Sequence, residues 1–245
     1  FLLLVTTFLF SKWNILKKIL NDKKKLFILF ISGFLIFVNW GVWIYAVSVD
    51  KIIDASFGYF IMPIISVFLG NFFFKEPITK KGKISIFLVI ISVSYLLIID
   101  FNSIPWVGLI VALSWSFYNL FRKKINVETD IGLLIESLYI LPFVLVAFYF
   151  ISINNYNDFS LSNPSLMPLL MLAGPMTVIP LFLYVRGVEL AGLGPAGMIF
   201  YITPTLQFIL GFFIYNEQFN INQLVSFILI WIAVFIYLKD IYEKN

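Results

Sequence analysis

Nine apolar stretches, each nearly free of charge and separated by short polar turns, run through almost the whole of this sequence. They lie near Phe1–Phe10, Leu26–Val47, Ile53–Phe74, Ile84–Ile99, Ile104–Phe121, Ile131–Ile153, Leu166–Val185, Leu193–Tyr215 and Leu224–Leu238. The runs are continuous in hydropathy and do not alternate, so they read as helices and not as barrel strands. A spanning helix needs roughly 17–25 residues. Most of the stretches reach that length. The fourth and ninth are short and are expected to extend into their flanks. The first is too short to span, and the chain opens with Phe inside an apolar run, so its start is expected to be missing.

Composition agrees. Apolar residues make up 61%, charged residues 12%, and the mean hydropathy is +0.99, against roughly 45–50% and about 25% in soluble domains. A water-soluble globule has no way to hide that much apolar surface. In lipid every backbone polar group must be satisfied internally, and helices achieve this. The sequence has no Cys and no His. That excludes disulfides, thiol chemistry, imidazole acid–base chemistry and zinc sites with Cys or His ligands; no cofactor or metal is expected.

All but one of the 17 Lys and Arg fall in alternate loops: Lys12–Lys25, Lys75–Lys83, Arg122–Lys124, Arg186 and the tail with Lys239 and Lys244. The exception is Lys51. Cytoplasmic loops carry the basic excess, so these segments and the C-terminus are expected inside. The net charge of +4 is thereby read as loop anchoring and not as a nucleic-acid footprint. Lys17–Lys25 reads as a solvated loop facing lipid headgroups, and Arg186 as an anchor.

The chain also repeats at an offset of 141 residues. Pro63 pairs with Pro204, Gly70 with Gly211, Glu76 with Glu217, Phe60 with Tyr201, Val47 with Val188 and Phe72 with Phe213. The offset covers five helices, an odd number, so the second copy is expected upside down. Inverted repeats mark secondary transporters, with the solute site near the midplane between the copies. Chance coincidence of Pro and Gly, both frequent in membrane helices, is the competing explanation. The expected organisation is a first repeat at 1–101 and a second at 102–245. On this reading the whole protein has ten helices, and this chain lacks the first and part of the second.

Several motifs carry a family resemblance. They are Asn39-Trp40, Ala55 through Phe60 with Pro63, Gly70 through Glu76, Phe117-Tyr118 with Arg122-Lys123-Lys124, and Leu134-Ile135-Glu136 with Leu141-Pro142. Tyr201-Ile202 with Pro204-Thr205-Leu206, and Ile230-Trp231, complete the set. In order and spacing the chain resembles RarD-type members of the EamA group of drug/metabolite transporters. The resemblance implies ten helices as two five-helix repeats, both ends cytoplasmic, a place in the cytoplasmic (inner) membrane, and transport. Arg186 stands where small or polar residues are usual in that group.

Polar groups inside lipid are costly and face the bundle interior. Glu136 lies about one and a half turns inside its helix. It could take up a proton or meet a cationic solute, because burial favours the neutral carboxyl; snorkelling, or a pair with Arg122 or Lys123, is the alternative. Asn39 could bond solute or bridge helices, and Trp40 and Trp43 lie beside it. Tyr59 and Tyr201 stand close to Pro63 and Pro204. Each proline frees a carbonyl in the preceding turn. Trp115 and Tyr118 share a helix face and could form an aromatic wall for a flat or cationic solute; aromatic packing alone accounts equally well for them. Gln207 follows Pro204 by one turn. Pro63, Gly70, Pro204 and Gly211 are the expected helix breaks or hinges, and Glu76 and Glu217 boundary or gate contacts.

The function expected is a carrier for a small organic solute working by alternating access, with protons as the coupling ion through Glu136. A non-transporting membrane subunit or sensor is the alternative. The scattered acids and missing His argue against an enzyme, and no Walker-type glycine loop is present for nucleotide hydrolysis.

Overall fold

The computed structural model describes residues 1–49, 51–100, 105–154, 166–213 and 221–243, leaving aside the side chains of 52–54, 56, 100, 207, 208, 210–213 and 223. The described residues form eleven helices and no strand: α1 Leu2–Leu9, α2 Trp13–Leu20, α3 Lys23–Ser48, α4 Ile52–Phe74, α5 Lys80–Asp100, α6 Trp106–Ile125, α7 Thr129–Ile153, α8 Leu166–Ala191, α9 Leu193–Ile199, α10 Ile202–Phe213 and α11 Ile221–Tyr242. The protein is an all-α polytopic membrane protein. By length and composition, α3, α4, α5, α7, α8 and α11 can each cross a membrane. Their outer faces are apolar: Phe143, Leu145, Phe148 and Phe150 of α7 are all exposed. Lipid is the solvent that tolerates such a surface.

The apolar runs became helices close to where the sequence places them, and the two short ones extend as expected, to α5 and α11. Two local outcomes differ. The segment Lys12–Lys25, read as a loop, contains α2. Its Leu16 and Ile19 are buried while Lys17 and Lys18 are exposed, so an apolar stripe at helical spacing holds it down. The run starting at Leu193 is divided at Phe200–Tyr201 into α9 and α10. Pro204 sits in the first turn of α10, where a missing N–H costs least.

Two compact units make up the chain, and each draws on both halves of the sequence. The first comprises Phe1–Phe37 and Phe121–Leu190. Here α1 packs on α7, and the core joins Leu3, Leu16, Ile19, Leu29, Ile125, Ile131 and Leu134. The second comprises Val38–Leu120 and Ala191–Asn245. In it α5 packs along α11, and α4 along α9 and α10. Cross-links between α5 and α11 fix their sense. Thr79 bonds Asp240, Ser92 Oγ donates to the Ser226 carbonyl at 2.8 Å, and Tyr95 Oη to Asn222 Oδ1 at 3.0 Å. One number rises as the other falls, so the helices are antiparallel. Phe57 and Met198, and Val89 and Ile230, are all buried in one core. Each of these two pairs is related by the sequence offset.

Candidate functional site

The break between α9 and α10 organises the second unit. Gly192 has φ of 104°, a conformation that glycine adopts without strain. It turns the chain so that the amides of Leu193 and Gly194 point at Glu76. Both donate to its carboxylate, one to each oxygen, at 2.9 Å. Glu76, in the connection after α4, is thus a cap from a remote part of the chain, where the α9 dipole favours negative charge. Gly70 makes room for it, since a methyl there would overlap Glu76 Oε2. Glu217 lies outside the described residues.

α9 then crosses α4 closely at Gly197, where a Cβ would come within 2.8 Å of Ser66 Cβ and 3.3 Å of Pro63 Cα. One turn on, Tyr201 Oη donates to the Phe60 carbonyl at 2.8 Å, within the turn that Pro63 loosens. Phe200, the residue that ends α9, turns its ring to Tyr59 at 5.5 Å between centroids and to Trp115 at 5.9 Å. Trp43 meets Tyr59 at 5.3 Å, and Tyr118 meets Trp115 at 6.1 Å. Five rings from four places in the unit therefore form one continuous chain. Such separations are those of favourable aromatic pairs.

Tyr59, Trp115 and Tyr118, expected from the sequence, come together here. Phe200 was not among the expected residues and joins the two halves of the chain. Its signal was present, because it stands at the repeat offset from Tyr59. Asn39 is 2% exposed and bridges helices, its amide donating to the Val111 carbonyl at 2.9 Å and Ser114 Oγ at 3.0 Å. Trp40 is exposed and is not one of the five rings. Tyr201 is buried beneath them. The side chain of Gln207 and the surroundings of Gly211 lie outside the described residues.

Glu136 belongs to the first unit, in a separate polar cluster. It lies about two turns, roughly 10 Å, along α7 and is 2% exposed. Ser32 Oγ of α3 donates to its Oε1 at 2.6 Å. Arg122, at the end of α6, is fully buried with Nη1 3.7 Å from the same oxygen. Arg122 Nη2 lies 3.4 Å from Glu189 Oε1 and donates to the Thr129 carbonyl at 3.3 Å. Thr129 Oγ1 donates to Glu189 Oε2 at 2.6 Å, and Arg186 reaches the same oxygen at 3.3 Å. Gly132 accommodates the guanidinium, since a methyl at that position would overlap Nη1. Sequence reasoning saw Glu136 and Arg122 but not Ser32 or Glu189, which come from distant helices. At the rim Lys12 bonds Asp130 and Glu128, each at 2.7 Å. Burial pulls its ammonium down, but the two carboxylates outweigh that and raise its pKa above the lysine value of 10.5.

The model of the EamA-like transporter family matches residues 1–98 and again 103–239. The chain belongs to the EamA-like transporter family. Among its relatives is Protein RarD of Escherichia coli, 33% identical over 240 residues, which cover 98% of this chain and 81% of that protein. Uncharacterized transporter YojE of Bacillus subtilis is 32% identical over 240 residues, 95% of this chain and 78% of that protein. The Chloramphenicol-sensitive protein RarD of Pseudomonas aeruginosa is 26% identical over 204 residues, covering 83% and 67%. The chain is therefore a RarD-type EamA protein, and its coarse function is membrane transport.

Proposed function

We propose that this RarD-type EamA protein is a secondary carrier for a small organic solute, with two inverted repeats at 1–101 and 102–245 and alternating access between them. The observation that carries the reading is the antiparallel pairing of α5 with α11, helices whose first residues, Lys80 and Ile221, are related by the repeat offset. Opposed copies of one unit are the architecture from which rocking carriers are built. The five-ring chain supports an aromatic solute, flat or cationic, because ring faces attract both. Glu136 is the proton-coupling group, as a carboxylate held inside the helix bundle. The protein lies in the cytoplasmic membrane with its C-terminus inside, which the one-sided placement of lysines and arginines supports.

The test uses the full-length protein in proteoliposomes. Radiolabelled chloramphenicol, an aromatic solute suggested by the name of one relative, is the first probe, followed by aromatic and cationic metabolites. Accumulation driven by a pH gradient, absent from empty liposomes, is expected for at least one. Saturable binding with no movement of any probe would favour a membrane sensor or subunit instead.

A further inference from the structure

We propose that Ser32, Arg122 and Glu189 form a switch around Glu136, in which uptake of a proton by Glu136 reverses the Ser32 hydrogen bond and passes the Arg122 guanidinium to Glu189. The proposal rests on the carrier reading given above.

Three observations carry it. First, the buried cation is shared. One fully buried guanidinium lies between two carboxylates, Glu136 at 3.7 Å and Glu189 at 3.4 Å. Arg186 also touches Glu189, but from the exposed side. Glu136 is buried and Glu189 only partly so, so the guanidinium stands between a dry acid and a wetter one. Second, the guanidinium is held loosely. Its Nε and Nη1 find no hydrogen-bond acceptor among the described residues. A buried cation with idle donors is costly and gains by moving toward whichever carboxylate keeps its charge.

Third, Ser32 has two acceptors for one proton. Its Oγ lies 2.6 Å from Glu136 Oε1 and 3.1 Å from the Leu29 carbonyl. With Glu136 ionised, the hydroxyl donates to the carboxylate. With Glu136 protonated, the carboxylic acid donates to Ser32 Oγ and the hydroxyl turns to Leu29. Both states are satisfied without moving a helix. The proton comes from water and returns to it, and no carbon bond is made or broken. Other charged or polar groups nearby have partners of their own. Thr129 of α7 bonds Glu189. Asp130 of α7 and Glu128 pair with Lys12.

Glu189 is thus a second acidic residue of the transport cycle, and Ser32 a positioning residue. The test is infrared difference spectroscopy of the purified full-length protein between alkaline and acidic buffer. The wild type is expected to gain a carboxylic-acid carbonyl band that Glu136→Gln loses. In Glu189→Gln that band is expected at more acidic pH, because the guanidinium is then no longer shared with Glu189. A band that survives Glu136→Gln, or a titration that Glu189→Gln leaves unmoved, overturns the proposal. Should Glu136→Gln fail to fold, Ser32→Ala carries the test. Its band is expected at higher frequency for want of a hydrogen-bond partner, and an unchanged frequency overturns the switch. Solute uptake is read on the same preparations. Wild-type vesicles that give the band but move no solute contradict the carrier reading. Vesicles that move solute and give no band contradict the switch alone.

Discussion

The hydroxyl of Tyr201 donates a 2.8 Å hydrogen bond to the backbone carbonyl of Phe60, 141 residues earlier in the chain. These two positions are also the ones that the internal repeat equates. The bond therefore ties a residue to its own counterpart, across the turn opened by Pro63. Tyr201→Phe removes the donor of this buried contact between α4 and the α9–α10 junction. The expected cost is about 1 kcal/mol, read as a lower midpoint of thermal unfolding in detergent with the helix content unchanged.

Glu76 holds the start of α9 with both carboxylate oxygens. Glu76→Ala is expected to cost about 1.5–3 kcal/mol, the range for hydrogen bonds to a charged group. Glu76→Gln keeps a single acceptor oxygen and is expected to fall between the two. Equal stability of all three proteins, by denaturant unfolding, would remove the cap from the account.

Two glycines predict opposite outcomes for one substitution. At Gly132 a methyl overlaps the buried Arg122 guanidinium and forces it out of its place between Glu136 and Glu189. Gly132→Ala is expected to destabilise by about 1–3 kcal/mol, the cost of overpacking. At Gly41, in the middle of α3, a Cβ meets nothing within 4 Å. Gly41→Ala is expected to stabilise by roughly 0.5–1 kcal/mol through helix propensity. Paired unfolding curves check both.

Phe200 joins the two halves of the ring chain. Phe200→Ala should weaken solute binding about tenfold, a loss of roughly 1.4 kcal/mol. The control is Phe143→Ala on the exposed face of α7, expected to leave the affinity unchanged. Binding to full-length protein in nanodiscs is the measurement.

The Lys12 ammonium has a raised pKa, with burial opposing and the Asp130 and Glu128 bonds prevailing. The sign follows from linkage. Stability from this group is fully present below the unfolded lysine value of 10.5 and is lost as pH rises through the higher folded value. Wild type should therefore exceed Lys12→Met in stability at neutral pH, with the gap narrowing only above about pH 10.5. Unfolding midpoints across an alkaline series give the comparison.

What the sequence made legible followed from periodicity and spacing. The long apolar runs gave α4 and α7 to within two residues at each end and α3 to within three, while α5 starts four residues earlier and α8 ends six residues later than its run. The repeat offset pointed at Phe60 with Tyr201, and applied to Tyr59 it would have found Phe200. The helix α2 was hidden because its lysines dominate the composition of Lys12–Lys25, although Ile15, Leu16 and Ile19 form the stripe that seats it. The break at Phe200–Tyr201 was hidden because Pro204 alone does not say whether a helix bends through a proline or restarts before it. Ser32 and Glu189 reach Glu136 and Arg122 from other helices, and no local pattern records which face of α3 or α8 turns inward.

The most direct measurement is two-sided labelling of single cysteines at Lys80 and Ile221. These are the first residues of α5 and α11, both exposed and equivalent under the repeat. These 245 residues hold no Cys, so neither site competes with a native thiol among them. In the full-length protein in intact cells, Lys80→Cys is expected to react only with a reagent that enters the cytoplasm, and Ile221→Cys with an impermeant reagent from outside. Labelling of both from one side, or the reverse assignment, would contradict an inverted carrier with its C-terminus inside.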